Sequence, residues 1–138
     1  MLASFKDLRV WREAMGLAVA IYKGTESFPK QEVYGLTNQM RRAAVSVASN
    51  IAEGKGHYSD REFCNFLFHA RGSVLELQTQ LMIARELEYL SAKDAGSLLE
   101  RADGVARGLN ALINSLSGGA GSKPKFAVIT GQRPTTND

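Results

Sequence analysis

The sequence predicts an all-α protein, an antiparallel up-down four-helix bundle over residues 1–117 with a mobile tail over 118–138. Three observations carry that reading. Apolar residues recur at steps of three and four in four separate stretches, the spacing that lines one face of an α-helix. Helix-start and helix-stop residues punctuate the chain between those stretches. A chain of 138 residues with 44% hydrophobic content suffices for one core and requires no second domain.

The first helix is expected over about residues 5–23. Ser4 suits an N-cap with Asp7 in the first turn; Leu8, Trp11, Met15, Ala18 and Tyr22 supply an apolar stripe, and Gly24 stands where a C-cap glycine belongs. Thr25 to Val33 forms a loop in which Phe28 anchors on the core and Pro29 bars a continuous helix. The second helix, about 34–54, has Leu36, Met40, Ala43, Val47 and Ile51 as its core face and stops at Gly54 and Gly56. Ser59 and Glu62 form a capping box that opens the third helix, about 60–90, whose apolar row runs Phe63, Phe66 or Leu67, Ala70, Val74, Leu77, Leu81 and Ala84. Glycine inside a helix costs ~1 kcal/mol against alanine, so Gly72 is expected to mark a close helix contact. Ser91 and Asp94 start the fourth helix, about 92–117, with Ala95, Leu98, Ala102, Val105, Leu109, Leu112 and Leu116 as an unbroken seam. The tail is rich in Gly, Ser, Pro, Thr and Asn, which predicts mobility; Phe126 to Thr130, flanked by cations, is its one strand-forming stretch.

A second stripe on the second helix organises the functional reading. Gln39, Arg42, Ser46, Asn50 and Glu53 recur with the same four-three alternation, and Ala43, Ala44, Ala48 and Ala52 around them are small enough to admit another helix. Unpaired, such groups cost roughly 1–3 kcal/mol each if buried, so the row is expected to be a covered polar network. Its natural partner is Gly72, Ser73, Glu76 and Gln80 on the third helix, with Glu53 and Glu76 facing one another and Arg42 neutralising one of them. Adjacent helical residues point about 100° apart, so Arg42 joins the row and Arg41 is expected to reach outward.

Catalysis finds no support. His57 and His69 are set in no HExxH or Glu-x-x-His pattern, and no nucleophile is flanked by a base. Gly54-Lys55-Gly56 follows a helix and lacks the Ser or Thr of a phosphate loop. A single cysteine, Cys64, sits among Phe63, Phe66 and Phe68 as a small hydrophobe and excludes a multi-thiolate metal site within one chain. No metal and no cofactor are expected. No apolar run approaches the ~20 residues of a membrane span, and the N-terminus lacks a charged start followed by an apolar segment, so a cytoplasmic protein is expected. The net charge of +3 permits an anionic partner, but the tail holds three cations against one acid, leaving +1 on the first 117 residues. A basic surface on the body must therefore come from clustering or from stacking of copies. The candidates for phosphate contact are Arg41, Lys55 and Arg61, supplemented by Arg9 and Arg12, for which a solvated face is the plainer reading.

Three stretches carry a resemblance: FKDLRVWREAM, GLTNQMRRAAVSVASNIAEGKG and ARGSVLELQTQLMIARELEYL. They resemble the bacterial four-helix bundle proteins encoded inside intervening sequences of large-subunit ribosomal RNA genes, the S23-type family, from about Phe5 to Leu116. The chain departs from the family pattern at Ala48, where proline is frequent, at Gln78, where glutamate is common, and in its tail. The resemblance implies a homopentameric ring with no established enzymatic activity. By architecture it also points to the accessory proteins that serve the reverse transcriptase of diversity-generating retroelements, which engage nucleic acid and polymerase together. Self-association, RNA or DNA, and a reverse transcriptase or other nucleic-acid enzyme are thus the expected partners. A non-enzymatic nucleic-acid binder with weak sequence preference, an accessory factor and a purely structural scaffold all remain open at this point.

Overall fold

Four helices make up most of the computed structural model, which describes residues 4–118: α1 Arg9–Gly24, α2 Leu36–Lys55, α3 Asp60–Glu86 and α4 Ala92–Ser117. Short 3-10 turns at Phe5–Asp7 and Lys30–Glu32 precede α1 and α2. The expected tail beyond Gly118, with Phe126 to Thr130, lies outside the described residues.

Each helix packs on two others in a square, α1 with α2 and α4, and α3 with α2 and α4, while the diagonal pairs stay apart. Every neighbouring pair runs antiparallel. Ser46 meets Ser73 while the later Gly54 meets the earlier Phe66; Val10 lies against Gly108 and Gly24 against Leu98; Arg71 reaches Asn110 across α3 and α4. The core runs down the centre, with Leu17, Ile21, Met40, Val47, Ile51, Leu67, Leu77, Leu109 and Ile113 fully buried. At ~25 cal/mol per Å² of apolar surface removed from water, each such side chain contributes about 1.5–3 kcal/mol, the main drive to fold.

The sequence reading and the structure part company at several ends and faces. Ser4 caps the 3-10 turn through Lys6 N–H, not α1, because Leu8 is extended between the two. On α1, Met15 and Tyr22 are exposed, and the core face is Val10, Ala14, Leu17, Ala18 and Ile21. The helix carries apolar residues around much of its circumference, so periodicity alone does not choose between the two stripes; packing against both α2 and α4 does. α3 ends at Glu86 instead of near residue 90, because Glu88 adopts φ 64. Its N–H bonds to Arg85 O and the Tyr89 N–H to Ala84 O, the paired bonds that close a helix around a left-handed residue. Gly72 has no atom within 4 Å of where a Cβ would stand; the close contacts fall at Gly54, whose Cβ would lie 2.6 Å from Phe66 Cβ, and at Gly108, 2.9 Å from Val10 Cγ2.

Candidate nucleic-acid interface

The up-down topology gathers the start of α1, the end of α2, the start of α3 and the end of α4 at one end of the bundle. Four of the five candidate cations therefore share that end. Arg9 is exposed and pairs with Glu13 at 3.1 Å; Arg12 donates to Lys6 O at 2.9 Å, tying the 3-10 turn to α1. Lys55, in the last turn of α2, lies 6.0 Å from the centre of the Phe63 ring, and Arg61, in the first turn of α3, is exposed and forms no ion pair with another described residue. Asp7, Asp60 and Glu62 share this end, so the cations are interspersed with acids.

Arg41 belongs elsewhere, and its expected role is reversed. Its Nε donates to Thr25 Oγ1 at 2.9 Å, Nη2 to Tyr22 O at 3.2 Å, and its guanidinium lies 4.6 Å above the Tyr22 ring. It is half-buried over the C-terminus of α1, where a cation complements the helix dipole. Arg42 is the one that points outward.

The loop between α2 and α3 adds Tyr58, which the sequence reading passed over, and gives His57 and Glu62 other contacts than expected. Tyr58 is fully exposed between Lys55 and Arg61. His57 stacks on Phe66 with ring centres 4.8 Å apart, and its Nδ1 lies 3.3 Å from Glu62 Oε1. Glu62 thus turns to His57, and only the Ser59 half of the capping box forms, with Glu62 N–H donating to Ser59 Oγ at 3.1 Å. The sequence shows no regular interleaving of cations and aromatics, and the lone Tyr58 between Lys55 and Arg61 was the available signal.

The polar row divides. Ser73 Oγ donates to Ser46 Oγ at 2.9 Å, and Asn50 Nδ2 donates to Ser46 O and Oγ at 2.9 and 3.0 Å, so these three residues form a half-buried knot between α2 and α3. Buried Gln80 gives its Nε2 to Glu76 Oε2 at 3.3 Å. Gln39, Arg42 and Glu53, expected under cover, are exposed within the single chain. Nor do Glu53 and Glu76 face each other: with Ser46 opposite Ser73 and Gly54 opposite Phe66, register sets them several turns apart, and Arg42 pairs with neither.

Cys64 is half-buried, and burial pushes its thiol above the ordinary cysteine value, which disfavours the reactive thiolate. Among the described residues no group of three His, Cys, Asp or Glu side chains is placed to hold a metal ion. No described helix is long and apolar enough to cross a membrane.

Helix order, register and the clustered helix ends define an all-α, up-down four-helix bundle protein. The chain belongs to the 23S rRNA-intervening sequence protein family, which it matches over residues 6–111. A solved structure from Bacteroides thetaiotaomicron, described as a protein with unknown function from the S23 ribosomal protein family, is 23% identical with a TM-score of 0.68; the match covers 75% of this chain and 97% of that one. At that identity the likeness concerns the fold. No curated protein matches.

Proposed function

We propose that this chain is a non-enzymatic, self-assembling cytoplasmic bundle that holds nucleic acid, RNA or DNA, by its phosphate backbone at the end where the helix termini gather. The observation that carries the reading is the convergence of Arg9, Arg12, Lys55 and Arg61 on that end, with exposed Tyr58 among them. Mixed with acids, these cations bind weakly in one copy. Repetition in a ring, pentameric on the family resemblance, multiplies the contacts. The family's name, which ties it to an rRNA intervening sequence, agrees with a nucleic-acid partner. Contacts to phosphate carry no base information, so weak sequence preference follows.

Fluorescence anisotropy with labelled RNA and DNA over a salt series tests this. The logarithm of affinity is expected to fall linearly with the logarithm of salt concentration, because each phosphate neutralised releases counterions. Affinity that holds constant across the series, or absence of binding at low salt, overturns the reading.

A further inference from the structure

Arg71 is a half-buried cation without a counter-charge. Its Nη1 donates to Asn110 Oδ1 at 3.0 Å and its guanidinium carbon lies 5.0 Å from the centre of the Phe68 ring, yet it forms no ion pair with another described residue. Burial lowers its pKa from the ordinary arginine value, as expected of a cation held partly out of water. Half-buried Arg41 differs, because the carbonyl end of α1 answers its charge.

Beside Arg71 a cleft of about 390 Å³ opens between α3 and α4. The helices run antiparallel with Arg71 opposite Asn110, so Val74 comes level with Arg107 and Gln78 with Asp103, and the seven residues from Arg71 to Gln78 span ~10.5 Å. Fully buried Val74 and half-buried Ala106 line its depth, and Leu75 stands exposed at its rim. The Gln78 amide on the wall has no hydrogen-bond partner among the described residues. Arg107 pairs with Asp103 one turn earlier on α4, but both side chains are exposed, and such a pair holds its members weakly. Arg107 is therefore free to turn to an anion in the cleft.

We propose that this cleft is a binding site for a small monocarboxylate with an apolar body, its carboxylate shared by Arg71 and Arg107 and its body laid over Val74, Leu75 and Ala106. Charge selects the monoanion. Two arginines against one aspartate leave the cleft at +1, which a carboxylate neutralises and a phosphate dianion would turn to −1. A planar guanidinium carries five N–H groups in a fork that matches a carboxylate, and a single one is spent on Asn110. The apolar lining offers no hydrogen bond, so the remainder of the ligand is hydrocarbon-like, and the volume falls within the ~300–1,000 Å³ of small-molecule sites. Ten residues of α3, ~15 Å, separate Arg71 from Arg61, so the site is distinct from the cationic end and independent of nucleic-acid binding.

Benzoate serves as the probe, titrated at constant ionic strength into the isotope-labelled full chain and followed by NMR. Saturable shifts are expected at the backbone amides of Leu75, Gln78 and Ala106. Arg71→Gln is expected to weaken benzoate at least about tenfold, the worth of a hydrogen-bonded charge, and Arg107→Gln to weaken it as well. The latter changes an exposed side chain that the core does not need, so the site stays testable if Arg71→Gln unfolds. Ala106→Phe, which fills the cleft and keeps both arginines, is expected to abolish binding, whereas Lys93→Gln, an exposed cation outside the cleft, is expected to leave it unchanged. Benzyl alcohol, the uncharged counterpart, and inorganic phosphate, which lacks the body, are expected to bind at least about tenfold more weakly than benzoate. Shifts that do not saturate, that persist in Arg107→Gln and Ala106→Phe, or that either control compound reproduces at equal affinity overturn the site.

Discussion

Glu32 serves two elements with one carboxylate. Its Oε1 accepts the Leu36 N–H at 2.9 Å and its Oε2 accepts the Tyr89 hydroxyl at 2.9 Å. The N-cap of α2 is Gly35, which has no side chain to cap with, and a Cβ there would lie 2.7 Å from Glu32 Oε1, so the glycine makes room for the substitute cap. The Leu36 and Tyr89 bonds hold the Glu32 carboxyl below its usual range, and donation to that carboxylate holds the Tyr89 hydroxyl above its own. A lowered carboxyl stabilises the fold fully above its unfolded value of about 4.3 and loses that contribution as pH falls further; a raised tyrosine does so below about 10 and loses it as pH rises. Glu32→Gln is therefore expected to unfold at lower urea than wild type at pH 7, with the gap narrowing as pH drops below about 4.3. Glu88, whose φ of 64 ends α3, is a second residue with a local consequence. Left-handed backbone costs a side chain ~1–2 kcal/mol, and glycine gives back ~0.4–1 kcal/mol through the unfolded chain, so Glu88→Gly is expected to raise stability by roughly 0.5 kcal/mol in urea denaturation.

Among the helices, glycine position separates contact from exposure. A methyl at Gly54 would meet Phe66 Cβ, an atom fixed to the backbone, at 2.6 Å, the ring carbon Cδ1 of buried Phe63 at 2.9 Å and the Phe63 carbonyl oxygen at 3.3 Å. Overpacking costs about 1–3 kcal/mol against ~1 kcal/mol of helix propensity, so Gly54→Ala is expected to destabilise by up to about 2 kcal/mol. Gly72 faces open space, and Gly72→Ala is expected to stabilise by ~0.8–1 kcal/mol from propensity alone. Urea titrations of the two variants should move in opposite directions. From the sequence, Gly72, inside an unbroken apolar pattern, is the expected close contact and Gly54 a helix terminator. Both are glycines on helices, and only the register of α2 against α3 distinguishes them. The fourth helix shows the contrary case: Ser91, Asp94 and the seam from Ala95 to Leu109 marked Ala92–Ser117 to the residue, because cap and core pattern are local.

For the molecule as a whole, the placement of cations decides which variants affect binding. Lys55→Ala and Arg61→Ala are each expected to reduce the salt-dependence slope by about 1 while weakening RNA and DNA alike. Arg41→Ala is expected to leave the slope unchanged and to lower the melting temperature, since that guanidinium is spent on Thr25 and Tyr22 at the other end. Anisotropy across salt and thermal unfolding by circular dichroism separate the two effects.

Residue order alone determined the number of helices, most of their limits, the core of α2 and α3 and that of α4 as far as Leu109, beyond which Ile113 is buried in place of the expected Leu112 and Leu116, and the family, because period, caps and motif are properties of neighbours along the chain. The tertiary structure decided which of two apolar arcs on α1 is buried, which arginine of the adjacent pair is free, and that Arg9, Arg12, Lys55 and Arg61 meet at one end. Those outcomes depend on how one helix is rotated and slid against another, and free energy from packing residues far apart in sequence sets rotation and register.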